Sequence, residues 1–111
     1  MHWKNLNTLP QVEELLHAEH PSLLFKHSTR CSVSAAVLNR LERNWDNKEM
    51  QGITPYFLDL LTYRNISDKI AETFAVQHES PQVLIIKNGK AIYHASHFDI
   101  QYEQLKQVIK S

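Results

Sequence analysis

An α/β fold, with a mixed four-stranded sheet and helices on both of its faces, is what this sequence predicts. Two observations carry that expectation. Short compact apolar runs alternate along the chain with stretches whose apolar residues recur at helical spacing, and the last two runs are separated only by Asn88-Gly89. A strand–helix–strand unit needs a right-handed crossover between parallel strands, whereas Asn-Gly between apolar runs signals an antiparallel hairpin. Both kinds of neighbour therefore occur in one sheet.

The elements follow in order. Thr8-Leu9-Pro10-Gln11 opens a first helix. Thr8 can cap it, Gln11 stands at the reciprocal capping-box position, and Pro10 suits the first turn. Val12, Leu15 and Leu16 form its buried face, and it ends before Pro21. Ser22 to His27 is the first strand. A helix carrying Val33, Val37, Leu41 and Trp45 comes next, with Ala36 and Leu38 beside them. Thr54 to Leu61 is a second strand, apolar enough to be covered on both faces. Asn65 or Ser67 starts a third helix bearing Ile66, Ile70, Ala71 and Phe74. Ser80 to Lys87 and Lys90 to His94 are the hairpin strands, and Ser96 or Asp99 caps a last helix with Tyr102, Leu105, Val108 and Ile109. Phe25, Trp45 and Phe57 read as core.

With 111 residues and 42% hydrophobic composition, residues 1–111 are expected to form one domain. A chain of this size buries roughly two thirds of its unfolded surface, so neither a disulfide nor a metal is needed for folding. The single cysteine has no internal partner, which suits a reducing cytoplasm. No apolar signal core opens the sequence, and nothing approaches the ~20 apolar residues of a membrane span. Twelve basic and twelve acidic residues cancel, leaving no electrostatic footprint for nucleic acid or an anionic membrane. His17 with His20 and His94 with His97 have i,i+3 spacing, but without a cysteine cluster or a carboxylate motif no metal site is expected.

Cys31 lies at the junction of the first strand and the second helix. A sulfur there faces unpaired backbone N–H groups and the positive end of the helix dipole, and both favour the nucleophilic thiolate. Lys26, His27 and Arg30 add positive charge nearby. Ser34 stands where a Cys-x-x-Cys motif would carry its second sulfur, which makes this a one-cysteine redox site. The competing reading is a small buried hydrophobe with no chemistry. For Ser34 two readings stand side by side: its hydroxyl donates to the thiolate one turn back, or it satisfies backbone or water at an exposed helix start.

The order of elements resembles the thioredoxin-like architecture. In those proteins the active cysteine follows the first core strand, and a cis-proline precedes the penultimate strand beside it; Pro81 in Pro81-Gln82-Val83-Leu84-Ile85-Ile86-Lys87-Asn88-Gly89-Lys90 occupies the matching place. Cis bonds form only about 5–6% of X–Pro bonds in folded proteins, so it is the resemblance that implies one here. A plain strand-leading proline is the alternative. Cys31-Ser32-Val33-Ser34, Arg64-Asn65-Ile66-Ser67, His78-Glu79-Ser80-Pro81-Gln82-Val83 and His94-Ala95-Ser96-His97-Phe98 are similar to the YtxJ family of monothiol bacilliredoxins. The likeness runs from about Trp3 to the C-terminus. It departs from many thioredoxin-like sites in having Ser32, not proline, after the cysteine.

That resemblance implies a monothiol thiol–disulfide oxidoreductase. Cys31 would remove bacillithiol from mixed disulfides on oxidised, S-bacillithiolated client proteins, with Ser34 beside it and no bound cofactor. Bacillithiol is then the co-substrate, and a second bacillithiol or a partner reductase resolves the adduct. Arg30 and Lys26 would hold a bacillithiol carboxylate, although a solvated charge is the ordinary state of such side chains. Ser80 and Pro81 would present backbone to an extended substrate segment, and His78 and His97 would orient loops around the site. Two other classes stay open. One is an iron–sulfur carrier bridging through one cysteine, weakened by the lack of Cys-Gly-Phe-Ser; the other is a redox-inert stress or adaptor domain.

Overall fold

The computed structural model describes residues 1–111. Its elements are β1 (Lys4–Asn5), α1 (Leu9–His17), β2 (Ser22–His27), α2 (Ser32–Asn44), β3 (Thr54–Asp59), α3 (Arg64–Phe74), β4 (Gln82–Lys87), β5 (Lys90–Ser96) and α4 (Tyr102–Lys110), with a 3₁₀ turn at His97–Asp99. The sheet has five strands in the order β1-β3-β2-β4-β5. β1, β3 and β2 run parallel, while β4 is antiparallel to both β2 and β5.

β2 is the centre of the sheet, and all six of its residues are buried. Alternation along the strands assigns each side chain to a face. Leu24, Leu84 and Ile86 join Val12, Leu15, Ile66, Ile70 and Phe74 in the layer under α1 and α3. Leu23, Phe25, Val83 and Ile85 join Val37, Leu41, Tyr102 and Leu105 in the layer under α2 and α4. Each such side chain removed from water contributes about 1.5–3 kcal/mol, which is what fastens the helices to the sheet.

Local signals explain most boundaries. Gln11 Oε1 accepts the Asn7 and Thr8 backbone N–H groups at 2.8 and 3.1 Å, and so closes the start of α1. α3 stops at Ala75, whose φ of 55° is left-handed and whose N–H returns to the Ala71 carbonyl. At the hairpin, Asn88 and Gly89 both have positive φ, 54° and 74°, as a tight two-residue turn demands.

Three expectations need correction. The sheet has five strands, not four, because the two exposed residues of β1 pair with Tyr56 and Phe57 of β3. Two residues carry no periodicity; what secures them is Trp3, whose ring meets Phe25 and Phe57 edge-on at 6.0 and 5.9 Å, and buried Leu6. α3 begins at Arg64, one residue before Asn65, and Ser67 is buried inside it. α4 is capped by Gln101; Ser96 and Asp99 flank and end the 3₁₀ turn instead.

Candidate active site

Cys31 is the N-cap residue of α2, with extended backbone at φ −106° and ψ 117°, and is half-buried and free. Its N–H donates to the Ser28 carbonyl at 3.2 Å, and its carbonyl accepts the first helical bond, from Ala35, at 3.1 Å. The 28–31 loop is thus a closed turn that delivers the sulfur to the helix start. The Ser80–Pro81 peptide bond is cis. Across β2 and β4, Lys26 pairs with Gln82, so Pro81 continues the register beside His27. The cysteine loop and the proline therefore share one end of the sheet.

Pro81 is buried, and its carbonyl accepts the His97 backbone N–H at 2.9 Å. His97 thus holds the proline through its main chain, at a positive φ of 55°, and not through its ring. The buried Oγ of Ser80 and Oε1 of Gln82, on either side of Pro81, have no hydrogen-bond partner. Arg30 is exposed on the loop just before the cysteine.

Ser34 is fully buried. Its Oγ lies 2.7 Å from His27 Nδ1 and accepts the Ser28 N–H at 3.1 Å. Of the two readings of this residue, the backbone bond of the second is present, in the Ser28 N–H, but at a buried position and not an exposed helix start. The hydroxyl is turned into the protein, joined to β2 and to the cysteine loop, and makes no hydrogen bond to Cys31 Sγ. The sequence carried a signal for this: Ser34, Val37 and Leu41 recur at i, i+3, i+7 and form the inner face of α2. His27, expected from the sequence only to add positive charge near Cys31, instead belongs to the buried network around Ser34. Its ring packs against Phe57 and Phe25, with centroids 5.4 and 6.1 Å away. Burial pushes its pKa down, while Asp59 and Glu42 act in the opposite direction.

Lys26 is a second correction. It points to the α1/α3 face, fully buried, with Nζ 3.4 Å from the Ser67 carbonyl and 3.5 Å from His78 Nδ1. Ser67 Oγ also lies 3.2 Å from His78 Nδ1. Burial lowers the Lys26 pKa from 10.5 to about 8, with Asp68 opposing and Arg64 assisting. Such an ammonium is withdrawn from any ligand carboxylate at the surface. His78 accordingly belongs to this inner cluster, its own pKa lowered by burial and then by the Lys26 charge.

The largest surface hollow, about 580 Å³, lies at Arg40, Asn44, Asp46, Glu49, Gln101, Tyr102 and Glu103 and contains none of the residues around Cys31. Cys31 is half-buried and lines none of the surface hollows. No helix is long and apolar enough to cross a membrane.

The family described as monothiol bacilliredoxin BrxC matches residues 4–105. Among solved structures, a thioredoxin-fold protein provisionally described as an oxidoreductase is 28% identical, with a TM-score of 0.80 over 94% of this chain and 90% of that one. A thioredoxin from Malassezia sympodialis is 15% identical at a TM-score of 0.74, covering 98% of this chain and 89% of its own. A thioredoxin from Trypanosoma brucei brucei is 13% identical at 0.72, covering 98% and 88%. The last two share the thioredoxin fold, which is the architecture of this chain.

Proposed function

Since the chain belongs to the monothiol bacilliredoxin family, a thiol redox role follows, and we propose that it removes bacillithiol from mixed disulfides on oxidised proteins with Cys31 as the nucleophile. The observation that carries this reading is the position of its one cysteine: half-exposed, at the N-cap of α2, at the same sheet end as cis-Pro81. A thiolate is the attacking species, and a helix N-terminus stabilises an anion.

The Cys31 thiolate attacks the bacillithiol sulfur of the mixed disulfide. The old S–S bond breaks, its electron pair leaves on the client's sulfur, and the client thiolate takes a proton from solvent. Cys31 now carries bacillithiol. No second cysteine exists in the chain, so a second bacillithiol thiolate, or the thiolate of a partner reductase, attacks next and Cys31 departs as thiolate. Exposed Arg30 is a candidate for the bacillithiol carboxylate, and the backbone at Ser80–Pro81 for the client segment. The same proposal includes the closer kinship to YtxJ proteins, supported by His78-Glu79-Ser80-Pro81-Gln82, and a reducing cytoplasmic setting.

Incubation with bacillithiol disulfide followed by intact-mass measurement tests it. One bacillithiol adduct is expected on the wild type and none on Cys31→Ser. A wild-type protein that stays unmodified, or a Cys31→Ser variant that still demodifies a client, overturns the reading.

A further inference from the structure

We propose that His27 is a positioning residue for Cys31, acting through Ser34: the location of one proton on the His27 ring decides whether the Ser34 hydroxyl is free to point at the sulfur. The proposal deepens the thiol-exchange reading and rests on it for its purpose, but not for its chemistry.

A serine hydroxyl has one proton and two lone pairs. One lone pair of Ser34 is taken by the Ser28 N–H at 3.1 Å. The 2.7 Å contact with His27 Nδ1 is a hydrogen bond whose direction depends on the ring's tautomer. If Nδ1 is bare, it accepts, and the single hydroxyl proton is used up inside the protein. If Nδ1 carries hydrogen, it donates into the second lone pair. The hydroxyl proton is then released, and the hydroxyl must find another acceptor.

Ser34 Oγ has no hydrogen bond to Cys31 Sγ in this structure, so the acceptor role assigned to Cys31 requires its half-buried side chain to turn toward the hydroxyl. Ser34 lies three residues along α2 from the N-cap, and residues at that spacing share a helix face. Ser34 is also fixed to the cysteine loop itself, because Ser28 bonds both to Ser34 Oγ and, through its carbonyl, to the Cys31 N–H. A neutral thiol asks little of a donor, whereas a thiolate is an anionic acceptor and gains most from one. The ring therefore holds its proton on Nδ1 when Cys31 is thiolate and leaves Nδ1 bare when Cys31 is capped. When an incoming thiolate breaks the mixed disulfide, the electron pair passes to Cys31 Sγ. Nδ1 takes one proton from solvent, giving the imidazolium or, with the Nε2 proton returned to solvent, the other neutral tautomer. The Ser34 hydroxyl keeps its own proton and turns toward the sulfur.

The surroundings keep the ring in a state where either arrangement is reachable. His27 is buried against Phe25 and Phe57. The charged groups that face it are Asp59, its register partner on β3, and Glu42 on α2. Just before β4, one step beyond the Lys26–Gln82 pair, the neighbour is uncharged Pro81. Burial favours the neutral ring and the two carboxylates favour an added proton, so the ring gains or moves a proton without rearranging the fold.

The ring-nitrogen NMR shifts of His27 in the wild-type protein are the first test. They should report hydrogen on Nδ1 in the thiolate form and a bare Nδ1 after Cys31 is capped as its methyl disulfide. Identical ring states in the two forms overturn the proposal. In Ser34→Ala the ring should no longer follow the sulfur; if it does, His27 senses Cys31 by another route and the role given to Ser34 is wrong. Displacement of Cys31 from the methyl disulfide by excess small thiol supplies a rate. Ser34→Ala should slow it roughly twofold to tenfold, the equivalent of one hydrogen bond of about 0.5–1.5 kcal/mol. Adding His27→Leu to Ser34→Ala should slow it no further, and a further fall would count against the relay. None of these measurements uses bacillithiol. Their failure leaves the proposed substrate standing, and a missing bacillithiol adduct leaves the relay standing.

Discussion

Lys26 and His27, adjacent in the central strand, bury their polar ends on opposite faces of the sheet: Lys26 Nζ lies 3.5 Å from His78 Nδ1, and His27 Nδ1 lies 2.7 Å from Ser34 Oγ. One strand thus carries a cationic group into the α1/α3 layer and a hydrogen-bonding group into the layer under the cysteine helix. Only the second of these reaches the residues around Cys31.

Lys26 should destabilise the protein at neutral pH. Its folded pKa of about 8 lies beneath the usual 10.5, so between those values the unfolded chain binds more protons than the folded one. Stability contributed by this group therefore rises as pH increases from about 8 to 10.5, and the full cost of keeping the buried ammonium charged is felt below pH 8. A shift of that size corresponds to something on the order of 3 kcal/mol. Lys26→Met keeps the length of the side chain without the charge, and His78 Nδ1 retains Ser67 Oγ as a partner. Urea unfolding should show the variant more stable at pH 7 and lacking the alkaline rise. Equal pH dependence in both proteins would show that the ammonium is better solvated than its burial indicates.

The two glycines with positive φ separate conformational from steric cost. Gly52, at φ 87°, has open space where a Cβ would go. Gly89, at φ 74°, would bring a Cβ within 2.9 Å of the Leu16 carbonyl oxygen. Each change to alanine incurs the left-handed penalty of roughly 1–2 kcal/mol, and Gly89→Ala adds a backbone collision of about 1–3 kcal/mol. Gly89→Ala should therefore have the lower denaturation midpoint. Equal midpoints would mean that the hairpin and the end of α1 separate at little cost.

Acid should weaken both histidine clusters. Burial lowers the pKa of His27 and of His78, so the unfolded chain takes up protons first as pH falls. Their contribution is intact above about 6.5, the ordinary histidine value, and is lost progressively beneath it. His78→Gln should flatten part of that acid slope in denaturant titrations. A slope unchanged by this substitution would assign the acid sensitivity elsewhere.

How much of this was legible beforehand differs from residue to residue. The strand Ser22–His27, the Asn88-Gly89 turn and the place of Pro81 were legible because each rests on a local pattern or a long specific motif. β1 was not, since two exposed residues have no period and are retained by Trp3 and Leu6 packing on distant strands. Lys26 was misplaced because a lysine is ordinarily at the surface. Alternation alone puts it opposite Phe25 and His27, but whether that face has a helix over it depends on α3. The His27–Ser34 bond joins residues seven apart, and forms only because the loop between them doubles back through the Ser28 carbonyl to the Cys31 N–H.

Ser34 is where structure and chemistry can be separated by choice of substitution. Ser34→Ala removes the partner of both His27 Nδ1 and the Ser28 N–H in a buried place, and should cost about 1–3 kcal/mol of stability while leaving Cys31 able to take up a bacillithiol adduct. Ser34→Cys fills nearly the same volume and places a second sulfur one turn beyond the first, on the same helix face. After Cys31 has captured bacillithiol, that sulfur can attack Cys31, form an internal disulfide and expel bacillithiol without any external thiol. Intact mass should therefore show the wild type and Ser34→Ala holding the adduct until a thiol is added. Ser34→Cys should show a loss of two hydrogens and free bacillithiol in solution. A Ser34→Cys protein that kept the adduct would mean that the inward turn of this side chain, which joins it to His27, keeps the second sulfur from reaching the first.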